Sequence, residues 1–100
     1  MSENDKIFLI GYHAIPKTPK EDIEGAYINC YLVDTDYENA RDRSLALVEE
    51  QDWEILSVEE ETEIDWLEVE EADERKQYVK QVIIDKDVLV IYTYERDENE

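Results

Sequence analysis

The residues whose types and spacing suggest chemistry are acidic. Ten of the sixteen positions from 59 to 74 are Asp or Glu, and none is Lys or Arg. On a helix, carboxylates three or four positions apart lie about 5–6 Å from one another, which is close to the spacing of phosphates along a nucleic-acid strand. Such a surface can occupy a basic groove. The candidate partner-binding residues are Glu59, Glu60, Glu61, Glu63, Asp65, Glu68, Glu70, Glu71, Asp73 and Glu74.

Three explanations of this acidic run stay open. A functional run would make the chain an inhibitor or nucleic-acid mimic that acts on a basic protein. A solvated helix face explains the same pattern, because acids favour the start of a helix and here precede Arg75, Lys76 and Lys80. Adaptation to high salt is the third explanation. We favour the solvated face for the run itself and place mimicry second, since the acidic excess extends over the whole chain.

Other candidates for chemistry are few. His13 is the only histidine and Cys30 the only cysteine. We expect His13 to end a strand with a backbone partner, and Cys30 to be a small core residue. The two glycines cannot form a glycine-rich phosphate loop, and the acidic run lacks the glycine-centred ligand pattern of an EF-hand. The sequence therefore predicts no catalytic residue, no cofactor and no specific metal site.

The tyrosines offer an alternative site. Several fall on predicted strands, where they would line a shallow pocket or a dimer face, although packing under helices is the commoner role. A small-ligand-binding or regulatory dimeric domain is therefore the second function class. An enzyme, the third, would need His13, Tyr12 and Cys30 to converge in one cleft. The strand tyrosines are Tyr12, Tyr27, Tyr31, Tyr92 and Tyr94.

Charge and composition limit the partners. Asp and Glu number 29 against 10 Lys and Arg, for a formal net charge of -19. Nucleic acid and anionic membrane surfaces would be repelled, since binding them depends on cationic side chains. A single cysteine fits a reducing compartment, and the first residues resemble no signal peptide. No apolar run is long enough to cross a membrane. We therefore expect a cytoplasmic protein.

Periodicity predicts the elements that must position these residues. Apolar runs and alternation predict four strands, and capping patterns with helical spacing predict a short helix and two long ones. Residues 59–63 carry too much like charge for a core strand and should fray or form an exposed edge. The last strand is apolar on both faces, which favours a central or covered position. The strands are 6–13, 26–34, 53–58 and 88–94, and the helices are 19–24, about 35–50 and 66 or 69 to 84.

This order predicts an α+β fold for residues 1–100 as a single domain, with short polar ends at about 1–5 and 95–100. We expect a two-layer sandwich in which two main helices cover one face of a mixed four-stranded sheet. A ferredoxin-like arrangement is the nearest common pattern. The function we expect is a small acidic protein-binding module without catalysis, for which homodimerisation stays open.

Overall fold

The computed structural model describes residues 5–18, 22–65 and 73–95. The elements are β1 (Lys6–Pro16), β2 (Ile23–Asp34), α1 (Tyr37–Glu50), β3 (Trp53–Ile64), α2 (Arg75–Asp85) and β4 (Asp87–Glu95). These four strands pair antiparallel throughout, and their order across the sheet is β3-β1-β2-β4. The α+β prediction is confirmed, whereas the predicted mixed sheet is wrong.

The two helices lie on opposite faces of the sheet. Phe8 of β1 packs in one core with Val48 of α1. Its neighbour Ile7 packs in a second core with Val82 of α2. The predicted two-layer sandwich with both helices on one face is therefore wrong. The reason is visible in the run from Ile7 to Ile10, which is buried at every position; a strand that is apolar on both faces needs a layer on each.

The order of elements also differs from the ferredoxin-like pattern. That pattern runs β-α-β-β-α-β, whereas here β1 and β2 form a hairpin at the centre of the sheet before the first helix. The short helix predicted for 19–24 falls partly on residues 19–21, outside the described residues. Its last positions, Ile23 and Glu24, belong to β2, so the helix does not extend that far.

Helix α1 follows its predicted pattern closely, apart from its cap. Asp36 is the N-cap, and its side chain accepts a hydrogen bond from the Asn39 backbone N–H at 2.9 Å. The capping pattern Thr35-Asp36-Tyr37-Glu38 predicts Thr35 as the cap, but the Thr35 hydroxyl donates to Asp34 instead. Asp is among the best N-cap residues, which accounts for the shift. Helical spacing predicts that Ala40, Ser44, Leu47 and Val48 face inward, and this is confirmed: Ala40, Ser44 and Val48 are buried and Leu47 is partly buried.

Strand β3 forms one edge of the sheet and continues well beyond its predicted end. Its pairing with β1 shifts register twice, between Gly11 and Tyr12 and between His13 and Ala14. All residues from 59 to 63 are exposed, so the expected exposed edge is confirmed. Helix α2 begins at Arg75; the predicted starts at 66 and 69 lie outside the described residues.

Strand β4 forms the other edge, so of the two predicted positions, central or covered, the central one is wrong, and α2 covers part of one face. It is paired with β2 and packed by α2, but Ile91 and Tyr92 are 39% and 46% exposed. Its apolar residues are needed on both faces because one side meets α2 while the other continues the α1 core through Leu89. Among the described residues, neither helix is long and apolar enough to cross a membrane.

Candidate functional site

The acidic run begins on the β3 edge. This strand of 12 residues contains five exposed glutamates and no basic residue. Successive strand residues point to opposite faces and rise about 3.3 Å each, so carboxylates on one face lie about 7 Å apart along the strand. The helical spacing expected from the sequence does not apply to this part of the run. We name these residues the β3 acidic edge: Glu54, Glu59, Glu60, Glu61 and Glu63.

Most of these glutamates also have a partner within the chain. The Glu61 carboxylate accepts a hydrogen bond from Tyr37, and Lys6 forms an ion pair with Glu63 at 3.5 Å. Exposed pairs of this kind contribute little to stability, and they leave the carboxylates open to solvent. Two further hydrogen bonds join residues two positions apart within β3: Ser57 donates to Glu59 at 2.8 Å, and Thr62 donates to Glu60 at 3.3 Å.

The rest of the run divides between the two ends of a segment that lies outside the described residues. Asp65 is exposed just after β3, and Asp73 and Glu74 precede α2. The Asp73 carboxylate accepts hydrogen bonds from the side chain and backbone of Arg75, which lower its pKa. Arg75 is also close enough to Glu60 for that charge to help raise the Arg75 pKa. Glu68, Glu70 and Glu71 lie outside the described residues.

His13 lies in an aromatic cluster on the face of the sheet that α2 covers. Its Nε2 is 2.7 Å from the Tyr94 hydroxyl. The Tyr27 ring stacks on the imidazole, with centroids 4.7 Å apart and an interplanar angle of 15°. Tyr94 is tilted against both rings at 5.8 Å. The backbone partner expected for His13 is thus replaced by a tyrosine hydroxyl from β4.

The same face carries further tyrosines. The Tyr31 and Tyr78 rings are 5.4 Å apart, and Tyr78 shares a hydrogen bond with Tyr92 that raises the Tyr92 pKa. The Tyr94 pKa is raised mainly by burial and, to a smaller extent, by the nearby Tyr27 and Glu24. We name the tyrosines of this face that are at least partly exposed the tyrosine surface: Tyr27, Tyr78, Tyr92 and Tyr94. Tyr31 lies on the same face but is only 2% exposed. Four of the five strand tyrosines expected to share a site therefore do share a face.

Tyr12 and Cys30 lie on the opposite face, in the core under α1. The Tyr12 hydroxyl is 2.5 Å from Ser44 Oγ, and Ser44 in turn donates to the Arg41 carbonyl at 2.7 Å, so Tyr12 is the donor to Ser44. Burial raises the pKa of the Cys30 thiol to about 12, which disfavours the nucleophilic thiolate. The convergence of His13, Tyr12 and Cys30 that an enzyme would need is not formed.

The part of the chain that the structure describes contains no group of three His, Cys, Asp or Glu side chains that could hold a metal ion. Comparison with known proteins gives no guide to the chemistry either, because no family model, curated protein or solved structure matches this chain.

The pairing of His13 with Tyr94 was missed by sequence reasoning. The two residues are 81 positions apart, and the strand order that brings them together is not encoded in either strand alone. One signal does exist. Gly25 is opposite Tyr94 in the register, and an aromatic ring that covers a cross-strand glycine is a recurring stabilising pair. That signal can be recognised only once β2 and β4 are known to be neighbours.

Proposed function

We propose that this chain is a cytoplasmic binding module for a basic protein, and that it acts by binding and not by catalysis. One observation carries the proposal: the β3 acidic edge, with five exposed glutamates and no basic residue in the strand. Because this strand is an edge of the sheet, its carboxylates are accessible from outside the fold.

Long-range electrostatics support this proposal. The formal net charge of -19 gives the whole molecule an attractive field for cations, and such a field accelerates encounter with an oppositely charged partner. Close to the surface, the β3 acidic edge would set the orientation of that partner. Association should weaken as salt increases, because the Debye length falls from about 10 Å at 0.1 M to about 3 Å at 1 M.

The sharpest form of the proposal is an inhibitor that mimics nucleic acid. Carboxylates spaced about 7 Å apart on one face of a strand would meet the Lys and Arg side chains that otherwise bind phosphates. The target in that case would be a nucleic-acid-binding protein, whereas nucleic acid itself would be repelled. Glu61 and Glu63 are both exposed and lie on the same face of β3, as this form of the proposal requires.

The test uses affinity capture from a lysate of the source organism, with two variants that remove the same charge at different places. Glu61 is retained in both because it accepts from Tyr37. The β3 variant carries Glu54→Gln, Glu59→Gln, Glu60→Gln and Glu63→Gln. The control, on exposed positions of α1, carries Glu38→Gln, Asp42→Asn, Glu49→Gln and Glu50→Gln.

We expect a basic protein to be retained by the wild type and by the α1 control at low salt, and to be released at high salt. The β3 variant should lose it. Equal loss from both variants would show that only the net charge matters, which contradicts a site on β3. Retention of the same protein by all three chains would also contradict a site on β3, since each variant removes only four of the 29 acidic side chains.

The tyrosine surface favours a second candidate, a small-ligand or regulatory site. The stacked His13 and Tyr27 rings present an aromatic face that is 48% exposed at Tyr27, and such faces attract planar and cationic groups. Tryptamine is a suitable probe, with binding followed by the NMR signals of His13. Binding that Tyr27→Ala abolishes would support this candidate, and unchanged His13 signals at millimolar tryptamine would exclude it for this ligand class.

A further inference from the structure

The two edges of the sheet differ in their protection against another strand. The β3 edge carries glutamates and two register shifts, both of which are devices that prevent edge-to-edge pairing. The β4 edge carries neither along its middle: the seven residues from Val88 to Tyr94 are uncharged, and their pairing with β2 is regular from Gly25 onward. Among the described residues, β4 pairs only with β2.

The hydrogen-bonding phase of β4 identifies which backbone groups face outward. The Val33 N–H donates to the Lys86 carbonyl at 3.0 Å, which places Lys86 in the set that bonds to β2. Since that set alternates along an antiparallel strand, Val88, Val90 and Tyr92 also face β2. The N–H and C=O groups of Leu89, Ile91 and Thr93 therefore point away from the sheet.

Side chains beside this edge would contact an added strand on both faces. Ile91 lies on the α1 side and is 39% exposed, because α1 packs mainly over β1, β2 and β3. On the α2 side, Tyr92 and Tyr27 are directly opposite in the register and are both about half exposed. An incoming strand would thus gain backbone hydrogen bonds together with apolar and aromatic contacts.

Charge decides which strand would fit. Asp87, whose carboxylate also pairs with Arg43 at 3.5 Å, and Glu95 stand at the two ends of β4. The exposed Glu24 follows Ile23 on β2, and Ile23 is opposite Glu95 in the register. A second copy paired antiparallel about Ile91 would set Asp87 against Glu95, in addition to the repulsion between two chains of charge -19. Like charges directly opposite destabilise strand pairs.

We propose that the outer edge of β4 binds an extended segment of a basic protein by strand addition. The segment would place uncharged β-forming residues along Val88–Tyr94 and Lys or Arg near Asp87 and Glu95. This inference rests on the proposed function only for the positive charge of the partner. Strand addition at β4 is independent of the β3 acidic edge.

The experiment uses three synthetic peptides of about the length of β4, each with alternating Thr and Val between its ends. One has Lys at both ends, one has Glu at both ends, and one has Lys ends with alternate amides N-methylated. The Lys peptide should slow amide hydrogen exchange at Leu89, Ile91 and Thr93. It should bind about tenfold more tightly than the Glu peptide, from two exposed charge pairs. The methylated peptide should not bind.

Two variants at one position separate backbone pairing from surface charge. Thr93→Pro removes an outward N–H without removing a bond to β2, since proline is tolerated on the outer side of an edge strand. Thr93→Val retains the N–H. We expect the proline variant to lose at least about tenfold in affinity for the Lys peptide, and the valine variant to bind as the wild type does.

Each other outcome overturns a specific part of the inference. If the Lys peptide binds both variants equally and perturbs Glu59 to Glu63 instead, it binds the acidic edge and strand addition at β4 is wrong. If the Glu peptide binds equally well, the basic partner is wrong. If sedimentation shows a dimer that Thr93→Pro abolishes, a second copy occupies the edge. The lysate capture with β3 variants does not involve Thr93, so failure of the proposed function remains distinguishable.

Discussion

Gly25 leaves the space that the Tyr94 ring fills. A Cβ atom at this position would overlap the Tyr94 hydroxyl and ring carbon and would lie 2.9 Å from the Ala14 carbonyl oxygen. The absence of a side chain therefore lets the hydroxyl end of the Tyr94 ring lie close to Gly25 and reach His13 at 2.7 Å. At the scale of single residues, one glycine sets the geometry of the whole aromatic cluster.

Gly25→Ala should destabilise the fold by about 1–3 kcal/mol, as overpacking typically does, and should displace the Tyr94 ring from His13. Urea denaturation measures the first effect and the His13 ring signals in NMR measure the second. Gly11→Ala is the matched control, because its new Cβ would meet the Asn29 side-chain oxygen at 3.0 Å and Glu60 Cβ at 3.3 Å, which can adjust. A larger loss at Gly11 than at Gly25 would contradict this account.

Arg43 connects three elements that are distant in the sequence. From α1, its guanidinium donates to the Val33 carbonyl at 2.8 Å and to Asp34 at 3.1 Å at the end of β2. It also reaches the Lys86 carbonyl at 3.2 Å and Asp87 at 3.5 Å, at the turn between α2 and β4. Since α1 and α2 lie on opposite faces, this side chain holds the two layers together at one end of the sheet.

Arg43→Lys should cost about 1–3 kcal/mol in the free energy of unfolding, because an ammonium cannot reproduce a forked donor set. Arg41→Lys is the control and should be close to neutral, since the ion pair that the Arg41 side chain forms within the described residues is an exposed one with its neighbour Asp42 at 3.8 Å. Urea titrations of the two variants provide the comparison. Equal effects of the two substitutions would contradict the role of Arg43 in holding the two layers together.

The stability that the Arg43 side chain contributes should also depend on pH. Burial alone would raise the pKa of Asp34, but hydrogen bonds from Arg43 and from the backbone of Thr35 and Asp36 outweigh it and lower that pKa. A carboxyl whose pKa is lower in the folded state stabilises the fold above its unfolded pKa and loses that contribution as the pH falls. The difference between wild type and Arg43→Lys should therefore shrink on acidification below about pH 4.

Local elements could be predicted from the sequence, and their arrangement could not. The alternation in β2 and the helical stripe of α1 are properties of neighbouring residues, and both match the structure. The layers depend on which strands meet. The apolar run Ile7–Ile10 requires cover on both faces, and the prediction that places both helices on one face does not satisfy that requirement.

The candidate site shows the same division. The exposed edge at 59–63 was predictable because like charges on a strand exclude it from a core. The prediction that the strand tyrosines share a site fits the common face of Tyr27, Tyr31, Tyr92 and Tyr94 but is wrong for Tyr12, which lies under α1, since only the register decides which face a strand residue occupies. The join between His13 and Tyr94 depends on β4 lying beside β2, which no local pattern specifies.

At the scale of the whole molecule, buried hydroxyls and a buried thiol make the fold sensitive to alkali. Burial raises the pKa of Tyr31 to about 12, and burial together with the hydrogen bond to Glu61 does the same for Tyr37. Since the unfolded state ionises first, their stabilisation is complete below about pH 10 and is lost as the pH rises toward 12. The buried Cys30 thiol adds to this loss of stability at high pH. Its contribution begins to fall at a lower pH, because an unfolded thiol has a lower pKa than an unfolded tyrosine.

The free energy of unfolding should therefore fall between about pH 9 and 12, by about 1 kcal/mol per raised tyrosine near pH 11. Urea unfolding at a series of pH values, with tyrosinate absorbance, measures this loss. Tyr37→Phe removes one such group while keeping the ring that meets Phe8 at 5.9 Å, so its stability should decline less steeply. A decline identical to that of the wild type would exclude Tyr37 as a contributor.

The net charge of -19 also predicts a response to salt. Self-repulsion destabilises a compact state and is screened as ionic strength rises, so the thermal midpoint should increase by several degrees between 0.1 and 1 M NaCl. The β3 variant with four Gln should gain less than the wild type. An equal gain in both chains would assign the effect to general salting-out and not to screening.

The position of the central hairpin has a consequence for the order of folding. Strands β1 and β2 meet through a short connection, whereas β4 completes the sheet by joining Ile91 to Ile28, 63 positions earlier in the chain. Non-local pairings of this kind form slowly, because the loop must close before the contacts form. During synthesis, β2 therefore leaves the ribosome with its outer edge unpaired, and that edge stays open until β4 has been made.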